Sequence, residues 1–202
     1  MTELFSKGGV LMWPLLACSI LAVAVVIEKM MRLRKNKIMP EFFLQEVEAL
    51  VEKRKIADAQ ALCRQNSSSL AHIVLRALDS FGLGRDVIKD RIEESGKKVV
   101  AQLEKGCNIL GTVVSISPLL GLLGTVFGMI KVFQVLSSRG VGGDASGLAG
   151  GIAEALITTA AGLSIAIPTL VAYRYFTGKI EKIVLTMEEQ TLKILDKLEK
   201  LS

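Results

Sequence analysis

The sequence predicts an all-α membrane protein with three transmembrane helices, a cytoplasmic helical insert and a helical C-terminal extension. Three observations lead there. Half of the 202 residues are apolar and the mean hydropathy is +0.46, high for a soluble domain of this size. The apolar residues are concentrated in three runs: Val10–Ile27, 18 residues without a charge; Cys107–Ile130, 24 without a charge; and Ala145–Tyr173, 29 residues whose one charge is Glu154. Runs of about 18 or more apolar residues are long enough to cross a bilayer. Basic residues crowd the ends of these runs, with Lys29, Arg32, Arg34, Lys35 and Lys37 after the first and Arg174, Lys179 and Lys182 after the third. By the positive-inside rule both clusters lie in the cytoplasm. Three spans then require an outside N-terminus and a cytoplasmic tail.

The division is residues 1–9 outside, 10–28 as the first span and 29–106 as the cytoplasmic helical region. Residues 107–136 form the second span, 137–147 an outside hairpin, 148–176 the third span and 177–202 the cytoplasmic tail. The first run is expected to be retained, because Glu28 and Lys29 follow it where a cleavage site would need small residues. Trp13 near its outer end, and Tyr173 and Tyr175 at the inner end of the third span, are placed for the membrane interfaces.

In the cytoplasmic region a polar helix starts at Pro40, with Phe43, Val47, Leu50, Ala57 and Ala61 at helical spacing, and breaks at Asn66–Ser69. Ser69 is placed to cap a short helix from Leu70 to Phe81. After Gly82–Gly84 a helix from about Arg85 carries Ile88, Ile92, Val99 and Leu103 on one face, and no proline prevents it from running into the second span. In the tail Ile180, Val184, Met187, Thr191, Ile194, Leu198 and Leu201 are spaced 4, 3, 4, 3, 4, 3, a heptad seam. Two partners fit that seam: the chain's own cytoplasmic helices, or copies of itself.

Several functions are excluded by what the residues lack. The net charge of +5 is carried by the Lys29–Gly106 segment, which has 16 basic and 11 acidic residues, so membrane orientation explains it and no nucleic acid is implied. Three dispersed cysteines and one histidine, His72, provide neither a disulfide scaffold nor a metal set. The Gly-rich stretch Gly140–Gly151 lacks the Gly-Lys-Ser/Thr of a phosphate loop. No nucleophile–base pair is visible, no cofactor is called for, and an enzyme is the weakest reading.

The informative residues are the polar ones inside the spans, since polarity there is costly. In the second span Ser115, Pro118, Leu122, Thr125 and Met129 fall along one stripe; in the third, Ala155, Thr159, Gly162, Ala166 and Thr169 fall along another. The second stripe is small and hydroxylated. Such a face lets another helix approach closely, and it also suits the wall of a narrow wet passage. Gly121, Gly124 and Gly128 read first as helix-packing contacts. Glu154 would cost roughly 2.5 kcal/mol or more if left unpaired at the centre of a span. Two readings of it stand: an ion pair with Lys131, or a titrating carboxyl. At the level of Thr125 and Thr159 the chain offers no carboxylate, so an ion path there would need one from a partner chain.

Ser117–Gly128 (SPLLGLLGTVFG) together with Gly151–Pro168 (GIAEALITTAAGLSIAIP) resembles the signature of the MotA/TolQ/ExbB proton-channel family. Met12–Arg34, with its Trp-Pro start and Glu-Lys exit, is similar to the first helix of ExbB proteins, and the three-span layout favours the ExbB/TolQ branch. The resemblance implies a homo-oligomer, a pentamer in the family, around an ExbD/TolR-like single-span protein whose membrane Asp carries the proton. It implies a TonB/TolA-like protein that takes force to the outer membrane, and a place in the bacterial inner membrane. Thr125 and Thr159 then match the family's pore-lining hydroxyls, Glu154 its acidic residue, and Pro118 and Pro168 its helix-bending prolines. Thr158 departs from the Ala-Thr of many proton-driven members, and the extra hydroxyl suits a hard cation such as sodium. The function expected is an ion-driven motor subunit, with protons or sodium as the ion. A non-conducting membrane scaffold is the reading from a different class.

Overall fold

The computed structural model describes residues 8–33, 38, 41–81, 83–139 and 145–199. Among these the chain forms helices α1 (Met12–Arg32), α2 (Glu41–Glu52), α3 (Ile56–Gln65), α4 (Ser69–Leu78), α5 (Arg85–Glu104), α6 (Cys107–Arg139) and α7 (Ala145–Glu199). No strand occurs among the described residues. Of these helices α1, α6 and α7 are long and apolar enough to cross a membrane. The chain divides into two compact units, residues 1–28 with 106–175, and residues 29–105 with 176–202.

The first unit contains the apolar spans. Their apolar residues are mostly outward: no more than 28% of the best window of any span is buried, and Trp13, Leu119, Phe133, Leu156 and Val171 stand exposed. That is the pattern expected of surfaces that meet lipid or neighbouring subunits. What is buried follows helical periods: Leu15, Ala22 and Val25 on α1, and Leu110, Val113 and Ser117 on α6. Tyr173 packs its ring against Gly111, where an added Cβ would lie 3.5 Å from the ring.

The second unit has an ordinary apolar core. Helices α2 to α5 pack in sequence, each on the next along α2·α3, α3·α4 and α4·α5. Val47, Val51, Leu70, Val74 and Leu78 are fully buried. Ser68 caps α4, its Oγ accepting from the Ala71 amide at 3.3 Å, and Gln60 Nε2 donates to the Leu78 carbonyl at 3.2 Å. From α7, Ile180, Met187, Thr191 and Ile194 are buried. Lys197 Nζ donates to Glu48 Oε2 at 2.7 Å and to Glu52 Oε1 at 2.8 Å, tying the tail to α2. Four of the seven seam residues are thus buried within the single chain.

Several boundaries differ from those expected. The helix from Pro40 does not run to Asn66: α2 ends at Glu52, with Arg54 at φ +60. The amides of Arg54 and Lys55 bond back to Val51 and Leu50, the pairing of a helix that stops at a left-handed residue. Ser68 rather than Ser69 is the cap of α4, which ends at Leu78 rather than Phe81. The helix from Arg85 does not run into the second span; Gly106, at φ +95, separates α5 from α6. Helix α1 starts at Met12 and continues to Arg32, beyond the expected 10–28, α6 ends at Arg139 rather than 136, and α7 begins at Ala145 and passes 176 without a break. Residues 1–7, Arg34, Lys35, Lys37, Pro40, Gly82, Gly140–Asp144 and Leu201 lie outside the described residues.

Lys29 is 2% exposed and donates to the Leu103 carbonyl at 2.6 Å, in the last turn of α5. A cation there meets the carbonyls a helix end leaves over. His72 is exposed on α4. Cys63 is buried, and burial pushes its thiol up to about 12, which makes it inert at neutral pH.

Candidate functional site

The site is built from α6 and α7, which cross antiparallel through small residues. The close approach is visible at each glycine of the crossing. A Cβ added at Gly121 would lie 3.1 Å from both the Thr158 carbonyl oxygen and Thr159 Cα. At Gly128 it would lie 2.6 Å from the Gly151 carbonyl oxygen and 2.7 Å from Ala155 Cβ, and at Gly162 it would lie 2.5 Å from the Ser117 carbonyl oxygen. These positions recur every three or four residues on each helix, so one face of α6 meets one face of α7 with backbone nearly on backbone.

Thr158 lies at the centre of this crossing. It is 1% exposed, fills the space beside Gly124, and its hydroxyl donates to its own helix, to the Glu154 carbonyl at 2.7 Å and the Ala155 carbonyl at 3.1 Å. Thr159, one residue and about 100° further round, lies at the edge of the contact. Its Oγ1 donates across to the Gly121 carbonyl at 3.0 Å. The two adjacent threonines therefore differ: one packs inward on its own helix, the other joins the two helices.

The other candidate hydroxyls mostly bond one turn back, as hydroxyls in membrane helices commonly do. Thr125 donates to the Leu122 carbonyl at 2.6 Å, Ser115 to Gly111 at 3.0 Å and Thr169 to Ile165 at 2.7 Å. Gly162, Ala166 and Thr169 are buried within the single chain, whereas Ser115 is exposed and Thr125 half-buried. The stripe of α6 thus stays available to a neighbour, while most of the α7 stripe is covered by packing. Ser117, one of the polar residues of the second span, is fully buried on the α6 crossing face, and its Oγ has no hydrogen-bond partner. Pro118 and Pro168 sit inside α6 and α7. Neither ring nitrogen carries the hydrogen that would bond the carbonyl four residues back, those of Val114 and Ser164.

Lys131 and Glu154 meet across the same pair of helices. Lys131 Nζ donates to both carboxylate oxygens, at 2.7 and 2.6 Å. The Glu154 side chain is 16% exposed and that of Lys131 54%. The turn ahead of α1 also reaches this carboxylate: Gly9, at φ +69, lies against Glu154 Oε1 where a Cβ would stand. Beside the pair is a recess of about 370 Å³ lined by Leu11, Gly124, Phe127 and Ile130, with Gln134 and Thr158 as further polar members. Among the described residues no three His, Cys, Asp or Glu side chains converge as a metal site would need. At the level of Thr125 and Thr159 neither α6 nor α7 carries a carboxylate.

Three long apolar helices, two of them locked through glycines and hydroxyls, define a multi-pass membrane protein. Residues 34–189 match the MotA/TolQ/ExbB proton channel family, and the chain belongs to it. Its relatives include biopolymer transport protein ExbB-like 1 of Synechocystis sp., 36% identical over 179 residues that cover 84% of this chain and 68% of the relative. An ExbB homolog of Methanothermobacter thermautotrophicus is 31% identical over 180 residues, 89% of this chain and 63% of the relative. Biopolymer transport protein ExbB of Salmonella typhimurium is 30% identical over 172 residues, 77% of this chain and 70% of the relative.

Proposed function

We propose that this chain is an ExbB-like subunit of an inner-membrane motor. With an ExbD/TolR-like single-span partner it converts the proton motive force into mechanical work on a TonB/TolA-like protein serving outer-membrane transport. The chain assembles with copies of itself, N-terminus outside and C-terminus in the cytoplasm. It performs no covalent chemistry of its own.

One observation carries this reading. The hydroxyls of Thr125 and Thr159 occur where α6 and α7 hold no acidic group. Hydroxyls of this kind pass a proton or order water but cannot store a charge. The group that stores it then comes from the partner, as the family membership suggests. Sodium is the alternative ion, and Thr158 was the residue that raised it. Its hydroxyl is enclosed at the crossing and donates to its own helix, which favours protons.

The test is Thr159→Val, which keeps the shape and removes the hydroxyl. The interhelical bond it deletes contributes about 0.6 kcal/mol on average in membrane proteins, too little to prevent assembly. The expected result is a complex of unchanged native mass that includes a small single-span protein, with ion-dependent work abolished. Full activity in an assembled complex would reduce Thr159 to packing. A native mass made of this chain alone under mild extraction would point instead to a scaffold that conducts nothing.

A further inference from the structure

We propose that Lys131 is a tethered cation that keeps Glu154 closed, so that this carboxylate can exchange protons only after Lys131 has swung away. The inference rests on the motor reading for its purpose, though not for its test. Four observations support it. Both carboxylate oxygens are occupied by one ammonium, at 2.7 and 2.6 Å, which leaves the group electrically neutralised. The exposures are unequal, 16% for Glu154 against 54% for Lys131, so the lysine is the outer partner and the carboxylate the one behind it. Gly9 abuts the carboxylate, and its lack of a side chain is what makes room for Glu154 Oε1. The adjoining recess of about 370 Å³ gives the carboxylate space to turn into once released, towards Gly124 and Thr158.

These features describe an element with two arrangements. In the one observed, a long flexible lysine holds the carboxylate shut. In the other, Lys131 swings clear of the carboxylate, and Glu154 either accepts a proton or turns into the recess. A lysine suits this role because its ammonium is a compact charge on a four-carbon stem that moves without disturbing the backbone. Glu154 then acts in turn with Lys131, rather than as a permanently open ion site.

The test is labelling of Glu154 by dicyclohexylcarbodiimide, an apolar reagent that adds to protonated carboxyls, with the adduct located by peptide mass. It is applied to the full chain in its own membranes. In the wild type labelling is slow. In Lys131→Met, which uncovers both carboxylate oxygens, it rises severalfold. Lys131→Arg, which restores a cation, labels like the wild type. Gly9→Ala, which drives a methyl group onto Glu154 Oε1 without changing any charge, also labels faster. Lys131→Gln replaces Lys131→Met should the latter fail to insert. Equal labelling of the wild type and the charge-removing variants, whether fast or slow, overturns the proposal. The reaction needs no gradient, partner or cargo, so its outcome is separate from that of the Thr159→Val experiment.

Discussion

The close backbone approach of α6 and α7 at Gly128 gives a prediction whose size follows from distances. A Cβ at Gly128 would stand 2.6 Å from the Gly151 carbonyl oxygen, 2.7 Å from Ala155 Cβ and 3.1 Å from Ala155 Cα. Non-bonded carbons rest at about 3.5–4.0 Å, so Gly128→Ala forces the helices apart by roughly 1 Å at that level. Neither backbone nor Cβ can rotate away, which puts the cost near the upper end of overpacking, about 3 kcal/mol. Replacing glycine by alanine in a helix returns about 1 kcal/mol. The net loss is about 2 kcal/mol, or about 4–8 °C in melting temperature for a chain of this length. Gly178 lies in α7 with nothing within 4 Å of an added Cβ. There the same substitution keeps only the propensity gain, and the melting temperature rises by about 2–4 °C. Circular dichroism melts of the detergent-solubilised protein measure both. If Gly128→Ala melts at or above the wild type, the crossing is not packed as described.

The tail clamp should show as a pH dependence. The Lys197 hydrogen bond and charge hold the Glu52 carboxyl below its ordinary 4.5, and the bonds from Glu48 and Glu52 raise Lys197 above its ordinary 10.5. A lowered carboxyl contributes stability that is present above its unfolded value and lost as pH falls through the folded one. A raised lysine contributes stability that is lost as pH rises through its folded value. The clamp therefore weakens below about pH 4.5 and above about pH 10.5, and Lys197→Met should flatten both limbs of the melting profile. An unchanged acid limb would mean that the tail is held by its apolar face alone. At the end of α2, Arg54→Gly should stabilise the protein by about 1 kcal/mol, because φ +60 costs a side-chain-bearing residue and not glycine. A destabilised Arg54→Gly would show that the arginine side chain contributes more than the backbone loses.

The spans were legible because a bilayer demands long charge-free runs, and few other constraints produce three of them in 202 residues. The Lys131–Glu154 pair was legible as one of two readings, since both are charges placed inside apolar helices. The difference between Thr158 and Thr159 was not. Both are threonines in a wholly small-residue run, and which one faces α6 depends on the rotation of α7, which composition does not set. The break at Arg54 was hidden because Lys53, Arg54 and Lys55 include neither glycine nor proline. The break at Gly106 carried a signal, a glycine directly after a lysine at a helix end, which the lack of a proline overrode. Ser117 is recognisable in sequence as a polar residue of a span, but its burial without a hydrogen-bond partner depends on the rotation of α6 and is seen only in the structure.

Lys29 illustrates how one charge serves at two stages in a membrane protein's life. In the orientation proposed above, α1 emerges before α5 has been synthesised, and the ammonium of Lys29 belongs to the basic group that would keep this end of the helix from being translocated. Once α5 has formed, the same ammonium leaves the water and lipid phosphates for the Leu103 carbonyl, at 2.6 Å. A replacement such as methionine, which keeps the stem and has no donor, would thus be felt twice, as a weaker orientation signal in the nascent chain and as an uncapped helix end in the mature one.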